Sequence, residues 1–509
     1  MTTRRKFLRD VSLGSAAIAV GVKANAASSP FAVPEKTNGP YLTTGIKIGE
    51  VSDTRAIVWA RLTQNRERVS DDAPEPTILY KNDQSGLFEH KGNKESRPNR
   101  EPKVIYPEGV DVSGLCGAVP AAPGEARVRW RTAKGGWKAS DWQSVDPDQD
   151  STRQFILEDL DPGKKYEVKV EARSSGSKSV TSMMQGNFKT APSANEPADI
   201  KFMAVTCQEY HDRDYGSKGF KIYEHMLRRQ PDFFAHTGDV VYYDQRAKNL
   251  DLARWHWQQM YSFPALVEFH KQVASYFMKD DHDTWMNDCW PDMQTHFMGD
   301  FTFEQGRQLF LNQVPMGDKT YRTYRWGKDL QIWLVEGRDY RSTDTMPDGP
   351  DKTIWGAEQI KWFKDTVSAS DATIKVLISG IPLVGPDRPQ KIDNYANKSF
   401  RTEGEMLRKF IETQPNMYIV NGDRHWQYAS KDAETGLLEF GCGPVSNEHA
   451  GGWNPKDRKP EHLYVNVVGG YLEVHLTHPN NQPQIVFTYY SVDDEVLFQY
   501  KPVIVKRDQ

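Results

Sequence analysis

The sequence predicts an all-β sandwich followed by a domain of the α/β (α+β) class, and two features of the chain indicate this order. Short β-rich runs separated by turn residues fill residues 46–190, which is typical of an antiparallel sandwich. From residue 200 onwards, apolar strands alternate with helical patterns, which is typical of βαβ units. We therefore predict a sandwich domain over residues 46–190, a linker over 191–199 and a second domain over 200–509.

The first module begins with alternating apolar and polar residues from Ile46 to Leu62, the pattern of a half-buried strand. Further short strands are predicted at Ala126–Thr132, Gln154–Leu157, Tyr166–Glu171 and Gln185–Thr190. The segment from Leu160 to Tyr166 resembles the turn and corner tyrosine of fibronectin type III domains. A stretch rich in Pro, Gly and charge, from Asn65 to Pro123, is predicted to be an irregular insertion, and its sequence indicates no role.

The second module repeats a strand and helix rhythm. Its strands are predicted at Ile200–Thr206, Phe233–Thr237, Leu330–Val335, Ile374–Ser379 and Met417–Val420. Its helices are predicted at Phe220–Arg229, Gly356–Val367 and Glu403–Ile411. Three β-rich runs between Leu463 and Val505 predict antiparallel strands at the end of the sheet.

Charge and composition argue against several classes of protein. The 65 basic and 69 acidic side chains give a net charge of -4 without a Lys/Arg stripe, so general nucleic-acid binding is not expected. No apolar run approaches the ~20 residues of a membrane span. The four cysteines lack C-x-x-C spacing, which argues against a zinc knuckle or a thioredoxin-like motif. A disulfide between Cys289 and Cys442 is compatible with the sequence if the chain is exported.

The N-terminus has the features of a twin-arginine export signal. Arg4 and Arg5 precede Phe7-Leu8, a mildly apolar run follows, and Ala24-Asn25-Ala26 provides a cleavage site. The alternative is a basic tail on a cytosolic protein, which needs neither the arginine pair nor the cleavage site. We predict a signal peptide over residues 1–26, a linker over 27–45 and a periplasmic or extracellular location.

Polar side chains follow four predicted strand or loop ends, and these are Cys207, Asp239 with Tyr242, Asp280 to Asp288, and Asp423 to His425. In open α/β folds, ligands bind beyond the carboxyl ends of the strands. One such end is an ordinary turn, but all four together present Cys, Asp, Tyr, His and Asn, each of which can bind a cation. The pattern therefore predicts a metal site.

This ordered set of motifs resembles the PhoD-like alkaline phosphatases (alkaline phosphatase D) of the metallophosphoesterase superfamily, and Gly238-Asp239-x-x-Tyr242 also resembles the purple acid phosphatases. The resemblance implies an α/β (α+β) metallophosphoesterase-like β-sandwich domain flanked by helices, preceded by an all-β fibronectin type III-like sandwich domain. Three positions depart from the family pattern. Lys279 stands where many members have Trp, Arg424 replaces Val, and Glu336-Gly337-Arg338 replaces Asp-x-Arg. These departures leave the metal ligands intact but put the choice of substrate in question.

The resemblance also implies which residues bind metal. Asp239 bridges two metal positions, and Cys207, Tyr242 and Asp423 complete the coordination of Fe3+. Tyr243 competes with Tyr242 for this role, and the spacing of the motif favours Tyr242. Asp281 and Asn287 supply hard oxygen ligands, which suit Ca2+ and do not distinguish it from Mn2+ or Mg2+.

His282 and His425 are predicted to protonate the leaving oxygen or to stabilise the transition state, because imidazole titrates in the useful range. Arg338 and Arg341 are predicted to meet charge on the phosphoryl oxygens, with a structural ion pair as the alternative. The segment from Gly441 to His449 follows a strand, but we interpret it as an ordinary Gly-Pro turn.

The predicted function is that of an exported metal-dependent hydrolase of phosphate ester substrates, which uses the twin-arginine export machinery. Two alternatives remain at the level of sequence. One is a phosphodiesterase or phospholipase-like hydrolase of the same fold, and the other is a catalytically silent secreted binding protein. The intact candidate ligands argue against the silent protein. The oligomeric state is not predicted.

Overall fold

The computed structural model describes residues 39–505. The predicted signal peptide at 1–26, and the part of the predicted linker before residue 39, lie outside the described residues. None of the helices in residues 39–505 has the length and apolar character needed to cross a bilayer.

Two large mixed sheets form the main layers of the fold. With strands numbered along the chain, the nine-stranded sheet has the order β24 (Val496–Tyr500), β23 (Gln484–Ser491), β22 (Gly470–Thr477), β12 (Ile200–Val205), β13 (Phe233–His236), β14 (Ala274–Phe277), β1 (Ile46–Gly49), β2 (Ala56–Arg61) and β9 (Thr152–Leu157). The seven-stranded sheet has the order β15 (Arg322–Trp326), β16 (Leu330–Leu334), β17 (Ile374–Ser379), β18 (Met417–Asn421), β20 (Leu438–Gly441), β19 (Gln427–Lys431) and β21 (His462–Asn466).

Two smaller sheets belong to the N-terminal part of the described chain. One consists of β11 (Ser182–Lys189), β10 (Lys165–Arg173), β6 (Glu125–Thr132) and β7 (Lys138–Ala139), with β8 (Gln143–Ser144) also paired to β6. The other consists of β4 (Phe88–Glu89), β3 (Thr77–Lys81) and β5 (Pro102–Ile105), all within the predicted insertion. The insertion therefore has a small sheet of its own.

The helices follow the strands of the second module. They are α1 (Lys221–Arg228), α2 (Leu250–Tyr261), α3 (Pro264–His270), α4 (Asp281–Thr284), α5 (Phe303–Gln313), α6 (Gly356–Ala369) and α7 (Arg401–Glu412). Local capping explains several boundaries. Asn249 accepts a hydrogen bond from the Leu252 amide at the start of α2, and Thr302 and Gln305 form a capping box at the start of α5.

The two large sheets share one apolar core. Phe233 of β13 contacts Trp326 of β15 with ring centroids 4.7 Å apart, and Phe440 of β20 stacks on Phe487 of β23 at 3.8 Å. Such face-to-face packing of two sheets is what defines a β-sandwich. The predicted fold class is confirmed for the second module, and the module before it is rich in sheet.

The nine-stranded sheet continues from the second module into the first. β1 pairs with β14 in parallel, with Gly49 opposite Ser275, and β2 and β9 follow beyond it. The predicted boundaries at residues 190 and 200 stay a prediction, and the sheet itself crosses them. The single strand predicted from Ile46 to Leu62 is wrong, because the chain turns between β1 and β2, where the Ser52 amide donates to the Arg55 carbonyl. Both strands are fully buried rather than half-buried.

Candidate metal centre

The predicted site residues lie at the carboxyl ends of parallel strands in both large sheets. β12, β13 and β14 are parallel neighbours in one sheet, and β16, β17, β18 and β20 are parallel neighbours in the other. Cys207 follows β12, Asp239 follows β13, Asp281 follows β14 and Asp423 follows β18. Because the two sheets face each other, these ends meet at one edge of the sandwich.

The backbone at this edge adopts conformations that ordinary residues avoid. Cys207, Asp239 and Asp423 have φ angles of 52°, 56° and 63°, in the left-handed region. Gly422 permits the close approach of two loops, because a Cβ on it would lie 2.4 Å from Thr237 Oγ1 and 2.6 Å from Thr206 Oγ1. Strained backbone of this kind concentrates at functional sites, since the fold must impose it against local preference.

Asp239 is the common member of the potential ligand groups. Among the described residues, its carboxylate lies within 4.8 Å of ligand atoms in three sets, which are Cys207 with His425, Asp281 with His282, and Asp280 with Asp423. Asp239 Oδ2 also accepts hydrogen bonds from Tyr242 Oη at 3.1 Å and from Cys207 Sγ at 3.4 Å. Asp239 is therefore central to the cluster, and its bridging role stays a prediction.

Several oxygens of this cluster are buried without a hydrogen bond in the described structure. Asp239 Oδ1 and Asp280 Oδ2 have no donor, and Asp281 Oδ1 and Asp423 Oδ2 also lack one, although a guanidinium lies beside each of them. A buried carboxylate oxygen without a donor is costly. The unsatisfied oxygens therefore fit a bound cation, which a set of Cys, Asp and Tyr ligands can hold.

The acidities in the cluster support the same conclusion. Burial raises the pKa of Asp239, Asp280 and Asp423. Burial, followed by the charges of neighbouring acids, also raises the pKa of the Cys207 thiol and the Tyr242 phenol. Burial thus disfavours the anionic forms of these groups, whereas a bound cation favours them.

His282 is held by a carboxylate that the sequence did not reveal. His282 Nδ1 is 2.5 Å from Asp244 Oδ2, and the imidazole contacts the ring of Tyr242 at a tilt of 32°, with centroids 4.3 Å apart. Burial alone would lower the pKa of His282, but the charges of Asp244, Asp281 and Asp239 outweigh it and hold the pKa well above its ordinary value. His282 is therefore oriented and favoured in its protonated form.

His425 and His449 form an imidazole pair at the site. Their ring centroids are 4.2 Å apart, and His449 Nε2 is 2.9 Å from Tyr242 Oη. Burial, followed by the charges of His449 and His282, lowers the pKa of His425 well below its ordinary value, which suits a neutral ligand or acceptor. Our interpretation of Gly441 to His449 as an ordinary turn missed His449. Its position after a parallel strand was the available signal.

The two predicted arginines lie in buried ion pairs. Arg338 is fully buried, and its Nε donates to Asp280 Oδ1 at 2.5 Å. Arg341 is paired with Asp344, and its guanidinium lies over the ring of Phe400. Both contacts match the structural alternative considered from the sequence, and a role in substrate binding stays a prediction for both residues.

The departures from the family pattern are accommodated by ion pairs. Lys279 Nζ lies 2.7 Å from Glu336 Oε1 and 2.8 Å from Asp339 Oδ1, and all three side chains are buried. Two of the departures, Lys279 and Glu336, thus contact each other. Arg424, the third, pairs with Asp387 at 3.1 Å and with Asp423.

The four cysteines are free and buried in the structure, so the disulfide between Cys289 and Cys442 is not formed. Cys289 Sγ contacts the carbonyl oxygen of Asp281 at 3.6 Å, and Cys442 Sγ donates to the carbonyl oxygen of Asn421 at 3.2 Å. Each thiol therefore lies against the backbone of a different loop.

A cavity of about 280 Å³ opens beside the cluster. Four predicted site residues line it, namely Tyr242, His282, Asn287 and His425. The remaining lining residues are Arg97, Glu209, Asp244, Gln245 and Arg246. A ligand in this cavity would contact both the candidate metal ligands and the candidate acid.

Comparisons with known proteins identify the family of this chain. The family model for PhoD-like phosphatases matches residues 202–469, which is more than half of the chain. A solved structure of PhoD matches with a TM-score of 0.68 at 16% identity, over 92% of this chain and 90% of that chain.

The structure of purple acid phosphatase PPD1 from yellow lupin (Lupinus luteus) seeds matches with a TM-score of 0.60 at 10% identity, over 90% of this chain and 73% of that chain. A search of curated proteins gave no match. The two solved structures support the fold, and the family model confirms the resemblance seen in the motifs. The chain belongs to the PhoD-like phosphatase family and is a phosphoesterase.

Proposed function

We propose that this protein is an exported alkaline phosphatase of the D type, which releases phosphate from phosphomonoesters and also cleaves diesters. The observation that carries the proposal is the cluster of buried acids around Asp239, whose unsatisfied oxygens lie next to a cavity of substrate size. Membership of a phosphatase family supports the chemistry at that cluster.

We assign the metal ligands as follows. Cys207, Asp239, Tyr242 and Asp423 would hold Fe3+, and Asp239, Asp281 and Asn287 would hold Ca2+, with Mn2+ or Mg2+ as competing ions. When bound, such cations polarise phosphoryl oxygens and lower the pKa of water. The phenol and thiol within reach of Asp239 Oδ2 support the assignment of a ferric ion to the first set.

The protein groups would then handle protons and orientation. His282 holds a proton and donates it to the leaving oxygen, and Asp244 fixes the ring through Nδ1 so that Nε2 is the donating atom. His425, which packs against His449, would contact the phosphoryl group. Arg338 would act on the cluster through Asp280, by holding that carboxylate in place.

The test of this function is the hydrolysis of an aryl phosphomonoester and the matching diester by protein purified after export. We expect turnover that a strong chelator abolishes and that added metal restores, together with visible absorption from a Tyr-bound ferric ion. Turnover that survives complete removal of metal would contradict the proposal. No turnover by iron-loaded protein would also contradict it, and would favour the binding-protein alternative.

Diester cleavage is the second candidate function, and the position of residues 501–505 supports it. Val505 forms two hydrogen bonds with Asn416, which precedes β18, whereas the metal cluster follows β18. Residues 501–505 therefore lie at the opposite end of β18 from the cluster and do not line the cavity. A higher kcat/KM for the diester than for the monoester would establish this alternative.

Export is proposed from the sequence of residues 1–26. We expect replacement of Arg4 and Arg5 by Lys to retain the protein in the cytoplasm, as measured by fractionation and phosphatase activity. Equal export of the unchanged and the Lys-Lys chains would contradict the twin-arginine route.

A further inference from the structure

The insertion at residues 65–123 supplies part of the wall of the cavity beside the metal cluster. Arg97, which lies between β4 and β5, lines the cavity together with Arg246, which lies shortly after Tyr242. Lys91 Nζ also donates to Gln245 Oε1 at 2.6 Å, which anchors the insertion to the segment that follows Tyr242. The insertion therefore places a cationic side chain at the substrate position.

Arg97 is anchored by one protein contact that leaves other N–H donors of its guanidinium unpaired in the described part of the chain. Its Nε donates to Asp244 Oδ1 at 2.6 Å, and its side chain remains 28% exposed while that of Asp244 is 4% exposed. This bond uses one of the five N–H donors of the guanidinium. Within residues 39–505, the other N–H donors of this guanidinium have no hydrogen-bond partner, and Arg97 lines the cavity.

Arg246 is also anchored by a carboxylate, and here the arginine follows Tyr242 while the carboxylate belongs to the insertion. Its Nη2 lies 2.9 Å from Oε2 of Glu75, a residue of the same insertion, and its side chain is 29% exposed. Glu75 Oε1 in turn lies 2.7 Å from His211 Nε2. Two guanidinium groups therefore border one cavity, each fixed by a carboxylate.

The acids that line the cavity are already engaged. Asp244 contacts Arg97 and His282, and Glu209 lies 3.0 Å from His211 Nδ1. The metal ligands serve the phosphoryl group that is transferred, so the two guanidinium groups suit a second anion. Guanidinium binds phosphoryl oxygens through paired N–H donors. A cavity of about 280 Å³ is at the small end of the range for ligand pockets, which favours a compact substrate.

We infer that Arg97 and Arg246 form a second anion subsite, which binds a phosphoryl group carried by the leaving group of the substrate. This inference rests on the proposed phosphoester hydrolysis and narrows its substrates to small organic diphosphates and bisphosphates. With ADP, water adds to the terminal phosphorus and the bond to the bridging oxygen breaks. The products are inorganic phosphate, AMP and one released proton, and the phosphate retained on AMP occupies the subsite.

The test compares kcat/KM for AMP, ADP and adenosine 3′,5′-bisphosphate with metal-loaded, full-length protein. AMP has one phosphate and serves as the reference, while the other two carry the second phosphoryl group at different distances. We expect at least one of them to exceed AMP about tenfold, as a charged hydrogen-bond contact implies. The substrate that does so identifies the distance between the reacting phosphoryl group and the phosphoryl group bound by the subsite. Equal values for all three would overturn the subsite.

Variants then assign the effect to the two arginines. Arg97→Gln and Arg246→Gln should each reduce the ratio of kcat/KM for the preferred substrate over AMP by about tenfold. A merely structural role would lower both values and leave the ratio unchanged, which would contradict the inference. Arg100→Gln is the matched control, because Arg100 belongs to the same insertion and pairs with Glu95 at 2.6 Å without lining the cavity. It should leave the ratio unchanged.

An inhibition measurement tests the subsite without Arg97→Gln, in case that variant does not fold. Inorganic pyrophosphate should inhibit AMP hydrolysis about tenfold more strongly than inorganic phosphate, and Arg246→Gln should remove that difference. Equal inhibition by the two anions would overturn the subsite. Absence of hydrolysis of every substrate by metal-loaded wild-type protein would instead overturn the proposed function, and the subsite with it.

Discussion

The ion pair between Arg61 and Asp150 and the cluster around Asp239 both place charge away from water, but they are neutralised differently. Arg61 donates to both carboxylate oxygens of Asp150 at 2.7 and 2.8 Å and to the Val119 carbonyl at 2.8 Å. Gln313 adds a donor to Asp150 at 2.7 Å. In the Asp239 cluster, by contrast, carboxylate oxygens remain without donors.

This difference separates a structural role from a functional one. Burying a charge is costly unless it is paired and hydrogen-bonded, and the Arg61 pair meets that condition entirely within the protein. The Asp239 cluster meets it only in part, through Arg338 and Arg424, and its remaining oxygens fit a cation from outside. Strained backbone at Cys207, Asp239 and Asp423 accompanies that cluster, so the fold maintains these residues at a cost in local stability.

The largest effect is expected from Asp239→Asn. This change removes the acid shared by all three ligand groups, so kcat/KM should fall by roughly 10⁴-fold and the bound metal should be lost. Metal analysis and aryl phosphate hydrolysis measure the two effects. The free energy of unfolding of the metal-free protein should not decrease, because the change relieves the burial of an acid. A variant with full metal and full activity would remove the distinction between the two clusters.

Arg61→Gln should have the opposite profile. It leaves Asp150 buried without its cation, so the free energy of unfolding should fall by roughly 3–5 kcal/mol. Denaturant unfolding measures this loss. The kcat of the protein that remains folded should be unchanged, since the pair lies outside the cavity. A specific loss of kcat without loss of stability would show that the pair has a catalytic role.

His282→Gln should lower kcat by about 100-fold for alkyl phosphates, because it removes the donor of the proton to the leaving oxygen. The loss should be smaller for aryl phosphates with acidic leaving groups, which need no such proton. Steady-state kinetics across a series of leaving groups measures the difference. An equal loss for every leaving group would indicate that His282 holds the cluster together and does not act as an acid.

The smallest effect concerns pH. Burial lowers the pKa of His211, but hydrogen bonds to Glu209 and Glu75 outweigh it and raise the value from 6.5 to about 9. Because the folded pKa is the higher one, this stabilisation is fully present below pH 6.5 and is lost as the pH rises through about 9. The contribution of His211 to the free energy of unfolding should be under ~1 kcal/mol, since solvent screens its partly exposed contacts with Glu209 and Glu75.

His211→Asn should remove this decline in stability between pH 6.5 and 9. Thermal unfolding over that pH range measures it. An unchanged pH profile in the variant would assign the decline to another group.

Local patterns were enough to predict much of the site. Asp239, Tyr242 and Asp423 are predicted because polar residues directly follow apolar strands, and parallel strands bring their carboxyl ends to one edge. Asp281 is predicted from the motif that spans Asp280 to Asp288. The structure brings Cys207, Asp239, Tyr242, Asp281 and Asp423 together at that edge, and Asn287 lines the cavity beside it. Their roles as metal ligands remain the proposal that the Asp239 variant tests.

The sequence by itself determined the family and the five strands that it predicts in the second module, because these depend on residues that are close neighbours along the chain. Only the tertiary structure decided the contacts made by His449, Asp244 and Arg97. His449 lies 207 residues from Tyr242, and Arg97 lies 147 residues from Asp244. No periodicity or spacing encodes such pairs, since they form only when separate loops dock on the same sheet edge.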